Sequence, residues 1–591
     1  MTMRPDFQFE TQGEGCLVYP THGGAGPHWV TPRGVAFAPG EGGLPDFRLA
    51  LLRAPGPFAR TSARLDLRLE ATYDLAGAGE RLGVPVSLLA PLLPSSGYLR
   101  LSLPLSGAGL SETLSVPLAW NGLGRARVTW RLSAEAGAVL RGALTGGTLA
   151  LAANVVLALR GVAARGPGQV TFDPQALVRA LSGVRDERGR TTYEALQAFI
   201  REPWDGRPWR WRSQGAGDPA PWAALLDRCL ARFARLALPE GGDLSPALTF
   251  DEPPPGEMTW RLDDVTETWR PVALEWRPLD VLRAGGLDPD RLVTLTTAPP
   301  VPLGFVGLEA VGNLPGGRVN VPQVGVHIMV PPRPPARPQP VQTTLVLEPP
   351  RDTAGTTLRL APGEPLTYTA RPYLLLSSLA GSRPTTRVLT GPPLTGTGET
   401  LELGVAELPA QFYPLAAEPA LLERAVLTGT VVWTEGDGEH HVPVRLERAR
   451  PEVCVAVPVA AEPSLRLRAE SPTGGAPLDL PALDVGERLV TLWHLPGFGA
   501  QTVRFVWVPT GDAPGLDVEV EPEAGGPPTH LHLRRDRPEA EWSYVVDDPF
   551  RPRYRSRVLP DGAWSPFLSP LDTREVTLAL PYPDPTEEVS A

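Results

Sequence analysis

Arg64-Leu65-Asp66-Leu67-Arg68-Leu69-Glu70 alternates a charged residue with leucine at every step. A period of two is the mark of a β-strand, because successive side chains project to opposite faces; this strand puts its leucines into a core and its charges in water. Tyr98 to Leu103 repeats the alternation, and Val128-Thr129-Trp130-Arg131-Leu132 follows it, which predicts an antiparallel β domain over residues 1–170. Later in the chain, Val426 to Thr434 and His441 to Leu446 flank Glu435-Gly436-Asp437-Gly438, a hairpin signal. Val503, Phe505 and Trp507 alternate with Arg504, Val506 and Val508, and Leu516, Val518 and Val520 alternate with Asp517, Glu519 and Glu521. The fold class expected is mainly β with minor α: antiparallel β-sandwich domains with a small helical insertion in the N-terminal half.

Gly 61 and Pro 71 punctuate a chain of 591 residues that is 42% hydrophobic, so the apolar material is cut into many short strands by many turns. The partition expected is a β domain at 1–170, a mixed region with short helices and a Trp-rich loop at 171–300, a strand and proline-rich spacer at 301–341, a β-sandwich at 342–455, a second sandwich at 456–580 and a disordered acidic tail at 581–591. Six prolines fall within Pro331-Pro332-Arg333-Pro334-Pro335-Ala336-Arg337-Pro338-Gln339-Pro340. That composition predicts an extended polyproline strut holding the later sandwiches at a set distance from the first half.

Val139 to Leu144 and Thr148 to Val162, joined at Gly146-Gly147, read as a hairpin whose second strand is apolar on both faces. A strand of that kind lies between two layers; the other reading is a membrane-active hairpin or the wall of a tube-forming assembly. Helix signals come next. Asp173-Pro174 caps a helix that Gly183 closes, Thr191-Thr192-Tyr193-Glu194 opens a second, and Asp218-Pro219 precedes a third with Leu225, Leu226, Cys229, Leu230, Phe233 and Leu236 along one face.

All 55 basic residues are arginine. Without lysine there is no phosphate-loop lysine, no Schiff base and no Ser-Lys dyad, and no cofactor motif is present. Acidic residues outnumber basic ones 66 to 55 with no basic block, which argues against nucleic acid. Cys16, Cys229 and Cys454 are odd in number and far apart, as free thiols are. The first 15 residues lack the apolar core of a secretory signal, and the longest near-apolar run is too short to span a bilayer, so the sequence predicts a cytoplasmic protein with no stable membrane insertion.

Trp204, Trp209 and Trp211, interleaved with Arg210 and Arg212, form the binding-site candidate, since indole faces and guanidinium groups stack on sugars, aromatic rings and carboxylates. Their other reading is packing over the neighbouring helices. His530 and His532 project on one strand face and could begin a metal site; the competing reading is cross-strand pairing with the acidic row of residues 517–521.

Arg553-Tyr554-Arg555-Ser556-Arg557-Val558, then Pro560-Asp561-Gly562 and Trp564-Ser565-Pro566, resembles the penultimate strand, turn and final-strand entry of a fibronectin type III domain. The resemblance implies an immunoglobulin-like sandwich serving as an interaction or spacer module. The function expected from the whole is a non-enzymatic structural or interaction protein, a subunit of a larger bacterial assembly whose partners are other protein subunits. The alternative is a ligand- or carbohydrate-binding protein using the Trp204 to Trp211 loop.

Overall fold

The computed structural model describes residues 4–579 apart from short stretches, the longest of which are 54–60, 105–110, 147–152, 202–207, 214–220, 238–246 and 298–304. The expected tail at 581–591, Trp204 and the Asp218-Pro219 cap lie outside the described residues.

The alternating stretch is the strand Thr61–Thr72. It lies in a sheet of order Arg125–Leu132, Thr61–Thr72, Phe47–Arg53, Val293–Thr297, with Gly34–Phe37 also on Thr61–Thr72. A second sheet runs Val265–Trp276, Ala153–Ala164, Pro94–Pro104, Ser111–Leu118. Leu65, Leu67, Leu69, Val128 and Trp130 of the first sheet share a core with Leu99, Leu101, Val155 and Leu157 of the second. This is the sandwich that the leucine period demands.

The expectation for Thr148 to Val162 holds in its main point, because Ala153–Ala164 serves two cores at once. Val155 and Leu157 belong to the sandwich interior, whereas Val156 and Ala158 face a helical layer built on Leu177, Leu181, Leu225, Leu226, Cys229 and Leu230. The helices are Pro174–Ser182, Tyr193–Arg201 and Pro221–Phe233. Asp173 caps the first by accepting from the amides of Gln175 and Ala176, and the Thr192 hydroxyl accepts from Ala195 N at the second.

The other arm of the expected hairpin is corrected: Ala134–Gly146 is a helix. The Ser133 hydroxyl accepts from Ala136 N at its start, and Ala136, Leu140, Ala143 and Leu144 recur at helical steps and are buried. A Cβ on Gly137 would lie 2.4 Å from that of Ala63, so the glycine lets this helix sit directly on the strand below. With one arm helical and the other a central strand paired on both sides, the hairpin on which the membrane reading rested is not formed.

The proline strut is also corrected. Gln323–Val330 and Val341–Leu347 are antiparallel neighbours with Val330 opposite Val341, so residues 331–340 are the loop of a hairpin and their ends meet. Arg333 and Arg337 exchange both backbone hydrogen bonds at 2.6 and 2.8 Å, and the Arg337 guanidinium binds Glu364 at 2.6 Å and the Pro331 carbonyl at 2.7 Å. Proline fixes φ without dictating direction, and one side-chain clamp is enough to fold such a segment back.

Thr367–Ala380 is one strand of 14 residues. Pro372 sits where its neighbour changes from Leu394–Thr397 to Arg383–Thr390, a place where a missing N–H costs least. This strand belongs to a sheet that includes the predicted hairpin Val426–Glu435 and Gly438–Leu446. One core runs from Leu308 to Leu495. The last core, from Val503 to Tyr554, lies between two three-stranded sheets, Glu539–Val546, Gly499–Val508, Glu575–Ala579 and Thr529–Arg534, Gly515–Pro522, Tyr554–Val558. The chain is thus a mainly β protein of several sandwich units.

Candidate functional site: a charged joint between two units

Alternation sends the leucines of Thr61–Thr72 inward and leaves Arg64 and Asp66 on the outer face. Arg131, on the neighbouring strand, lies directly opposite Arg64. Two like charges in that relation destabilise a sheet. Glu309, carried on the strand Phe305–Gly312 of the next unit, approaches both: Oε1 is 3.5 Å from Arg64 Nη1 and Oε2 is 3.3 Å from Arg131 Nη1. Glu399 adds a contact to Arg131 Nη2 at 3.7 Å. Asp66 completes the cluster, with Arg64 at 3.5 Å, Arg127 at 3.7 Å and the Thr129 hydroxyl donating at 2.7 Å. The face expected to lie in water is therefore an interface between units. Side-chain exposures of 15% for Arg64, 22% for Arg131 and 19% for Glu309 put these pairs between the surface and buried regimes. Burial lowers the Arg127 pKa, with Asp66 opposing that effect.

The same contact resolves a backbone problem. Arg125–Leu132 is the edge of its sheet, and an edge leaves N–H groups unpaired. Asn313, buried and immediately after Phe305–Gly312, accepts from Thr129 N through its side-chain oxygen at 3.0 Å. Asn313 is held in turn by its own N–H to the Leu403 carbonyl at 2.8 Å. Nearby, Asp352 takes a positive φ of 48° and receives both Arg318 nitrogens at 2.6 and 3.0 Å, while its carbonyl accepts from Gly312 N. Two further points close the joint. A Cβ on Gly122 would lie 2.7 Å from Ala416, so only glycine allows that approach, and Arg488 donates to the Pro94 carbonyl at 3.0 Å.

The residues proposed from sequence lie elsewhere. Trp209–Ser213 is a strand rather than a loop, paired with Gly168–Phe172. Register sets Trp209 opposite Phe172 of the helical core, where Trp209 is half-buried, and pairs Trp211 with Val170. Arg210 is exposed beside Thr171, and Arg212 pairs in register with Gln169. His530 and His532 face Glu519 and Asp517 across the hairpin, and His532 Nδ1 lies 2.5 Å from Asp517 Oδ1. Glu519 is engaged by Arg557 at 2.5 Å. Among the described residues no three His, Cys, Asp or Glu side chains gather as a metal site. Cys16, Cys229 and Cys454 are free and buried, and burial pushes the thiols of Cys229 and Cys454 up to about 12. The joint itself was missed because Glu309, Asn313 and Glu399 carry no local pattern; the signal present was that Arg64 and Arg131 fall on adjacent strands with Asp66 as the one acid beside three arginines there.

No family model matches the chain, and no curated protein matches it. Among solved structures it is similar to the Bacillus anthracis TIE protein, at 8% identity over 90% of this chain and 74% of that one, with a TM-score of 0.18. It is also similar to a streptococcal ancillary pilin, at 10% identity over 47% of this chain and all of that one with a TM-score of 0.14. The major pilin subunit BcpA of Bacillus cereus matches at 9% identity over 47% of this chain and 98% of that one, with a TM-score of 0.13. The cytoplasmic expectation is withdrawn: two of these neighbours are pilins, and nothing among the described residues assigns the chain to the cytoplasm. The thiol argument behind that expectation also lapses, because all three cysteines are buried, Cys16 and Cys229 in different cores, so their being free says nothing of the redox setting. No helix among the described residues is long and apolar enough to cross a membrane. At such scores the likeness gives neither fold nor function, and the sandwich assignment stands on the chain's own sheets.

Proposed function

We propose that the chain is a non-enzymatic structural subunit of a larger bacterial assembly, one that presents its β units in a fixed relation to each other. The carrying observation is the joint: Glu309 lies against both Arg64 and Arg131, which face each other within their own unit, Glu399 adds a contact to Arg131, and Asn313 accepts from Thr129 N on the edge strand of the same sheet. Units tethered only by a linker leave such charges and edges to water; units that must keep one orientation bury them.

The last sandwich is attached in the same spirit, with Arg424 donating to the Asp547 carbonyl and Phe550 packing against the preceding core. The test is isolation of the native protein from its source cells, followed by size-exclusion chromatography with light scattering and negative-stain imaging. A particle containing several subunits with this chain at a constant orientation is expected. Recovery as a lone monomer would refute the assembly reading.

A further inference from the structure

Edge strands are normally blunted by charge or proline, because an exposed row of backbone donors and acceptors recruits other strands. The sandwich of the first half follows this rule at most of its edges. Ser111–Leu118 carries Glu112 and Pro117, Val265–Trp276 carries Glu267, Arg270 and Pro271, and Arg125–Leu132 is closed by Asn313. Val293–Thr297, with the sequence Val-Thr-Leu-Thr-Thr, breaks it. It is the outer strand of its sheet, it pairs in parallel with Phe47–Arg53 on one side, and among the described residues no strand pairs with its other side. Thr294, Leu295, Thr296 and Thr297 are all exposed, Leu295 by 74%. The other uncharged long edge, Val341–Leu347, lies against Thr353–Arg359.

We propose that Val293–Thr297 is a docking edge for the same strand of a second copy of this chain, an inference that rests on the structural-subunit reading. The strand is self-complementary in antiparallel register about Leu295: Leu295 meets Leu295, Thr294 meets Thr296, and Val293 meets Thr297. No like charges are brought together, and Thr–Thr and apolar pairs across strands are favourable. The register with Phe47–Arg53 places Leu295 beside Leu51 and Val293 beside Leu49, so pairing carries the inner apolar row of the sheet across a two-fold axis as Leu51, Leu295, Leu295, Leu51. Five residues make a small contact, so the dimer is weak in solution and gains strength where copies are held close in an assembly.

Sedimentation equilibrium of the full chain up to roughly 1 mM tests this, a range in which weak association is measurable. The wild-type chain is expected to dimerise reversibly. Leu295→Lys and Leu295→Glu, at a position exposed enough to leave the fold intact, are each expected to be monomeric. An equimolar mixture of the two is expected to dimerise again. Because the chain has no lysine, the introduced amine is its only side-chain amine, and a carbodiimide bond between positions 295 of the two variants reports the register directly. Amide protection of Val293–Thr297 that rises with wild-type concentration gives a readout independent of any variant. A monomeric wild-type chain at every concentration, variants that dimerise like wild type, or a mixture that stays monomeric would each overturn the proposal. A multi-subunit native particle seen alongside any of these would leave the structural reading standing.

Discussion

Replacing Glu309 by glutamine removes the one carboxylate that Arg64 and Arg131 share, leaving Asp66 beside the first and Glu399 beside the second, while keeping side-chain volume. At a separation of about 3.4 Å and an effective dielectric constant of about 20, each Arg–Glu contact is worth roughly 5 kcal/mol before desolvation is subtracted. Removing one partner from a buried pair costs about 3–5 kcal/mol and from an exposed pair about 0.2–1 kcal/mol. With about a fifth of the Glu309 side chain still exposed, the expected cost lies between these limits, at about 2 kcal/mol. The loss should appear in urea unfolding as earlier release of the first unit, and in hydrogen exchange as faster exchange of the Arg125–Leu132 amides. Combining Glu309→Gln with Arg131→Leu removes the repulsion as well as the attraction, so the double variant should recover about 1 kcal/mol relative to additive behaviour. A Glu309→Gln cost and a coupling both below about 0.5 kcal/mol would refute the claim that this cluster fixes the two units.

Asn313→Ala should leave the Thr129 N–H buried without an acceptor, at a cost of about 1–3 kcal/mol, with Thr129 showing the largest local gain in amide exchange. Gly122→Val should wedge the joint open at Ala416, lowering stability by about 1–3 kcal/mol and enlarging the radius of gyration in X-ray scattering. Burial holds the Glu452 carboxyl above its ordinary 4.5, with Arg125 and Asn121 opposing that effect. The folded state then binds the proton more tightly than the unfolded one, so this group costs stability as pH rises from about 4.5 through its folded value, and Glu452→Gln should remove that part of the slope in pH-dependent urea unfolding. Cys229 and Cys454, with thiols near 12, should resist alkylation at pH 8 in the native protein and react once it is unfolded, as peptide mass spectrometry would read.

What the chain discloses about itself follows the range of the interactions involved. Leu65, Leu67 and Leu69, the cap at Asp173 and the hairpin around residues 435–438 are decided by neighbours in sequence, and each is found where local chemistry puts it. Ala134–Gly146 was misread because its alanines and glycines show a strand-like apolar run as easily as a helical one, and only the Ser133 cap and the Ala136, Leu140, Ala143, Leu144 spacing separate the two. Residues 331–340 were misread because their direction depends on Glu364, which no local rule connects to Arg337. The strand at Trp209 illustrates a half-seen pattern: Trp-Arg-Trp-Arg is a period of two, and Trp209 packs against the helical core while Arg210 beside it is exposed. The joint lay beyond reach for the same reason as the proline loop, since Glu309 and Arg64 are 245 residues apart.

The strand Ala153–Ala164 carries a consequence for anyone redesigning this protein. The segment between it and Val265–Trp276 looks removable, a few helices and a small sheet placed between two strands that already pair. Yet Val156 and Ala158 depend on those helices for cover as fully as Val155 and Leu157 depend on the opposite sheet. Deleting the helices would not yield a leaner sandwich; it would strip one side of a central wall and leave a greasy surface that aggregates. The apparent insertion is thus part of the minimal folding unit, and a shortened chain must first rewrite that wall's outer face in polar residues.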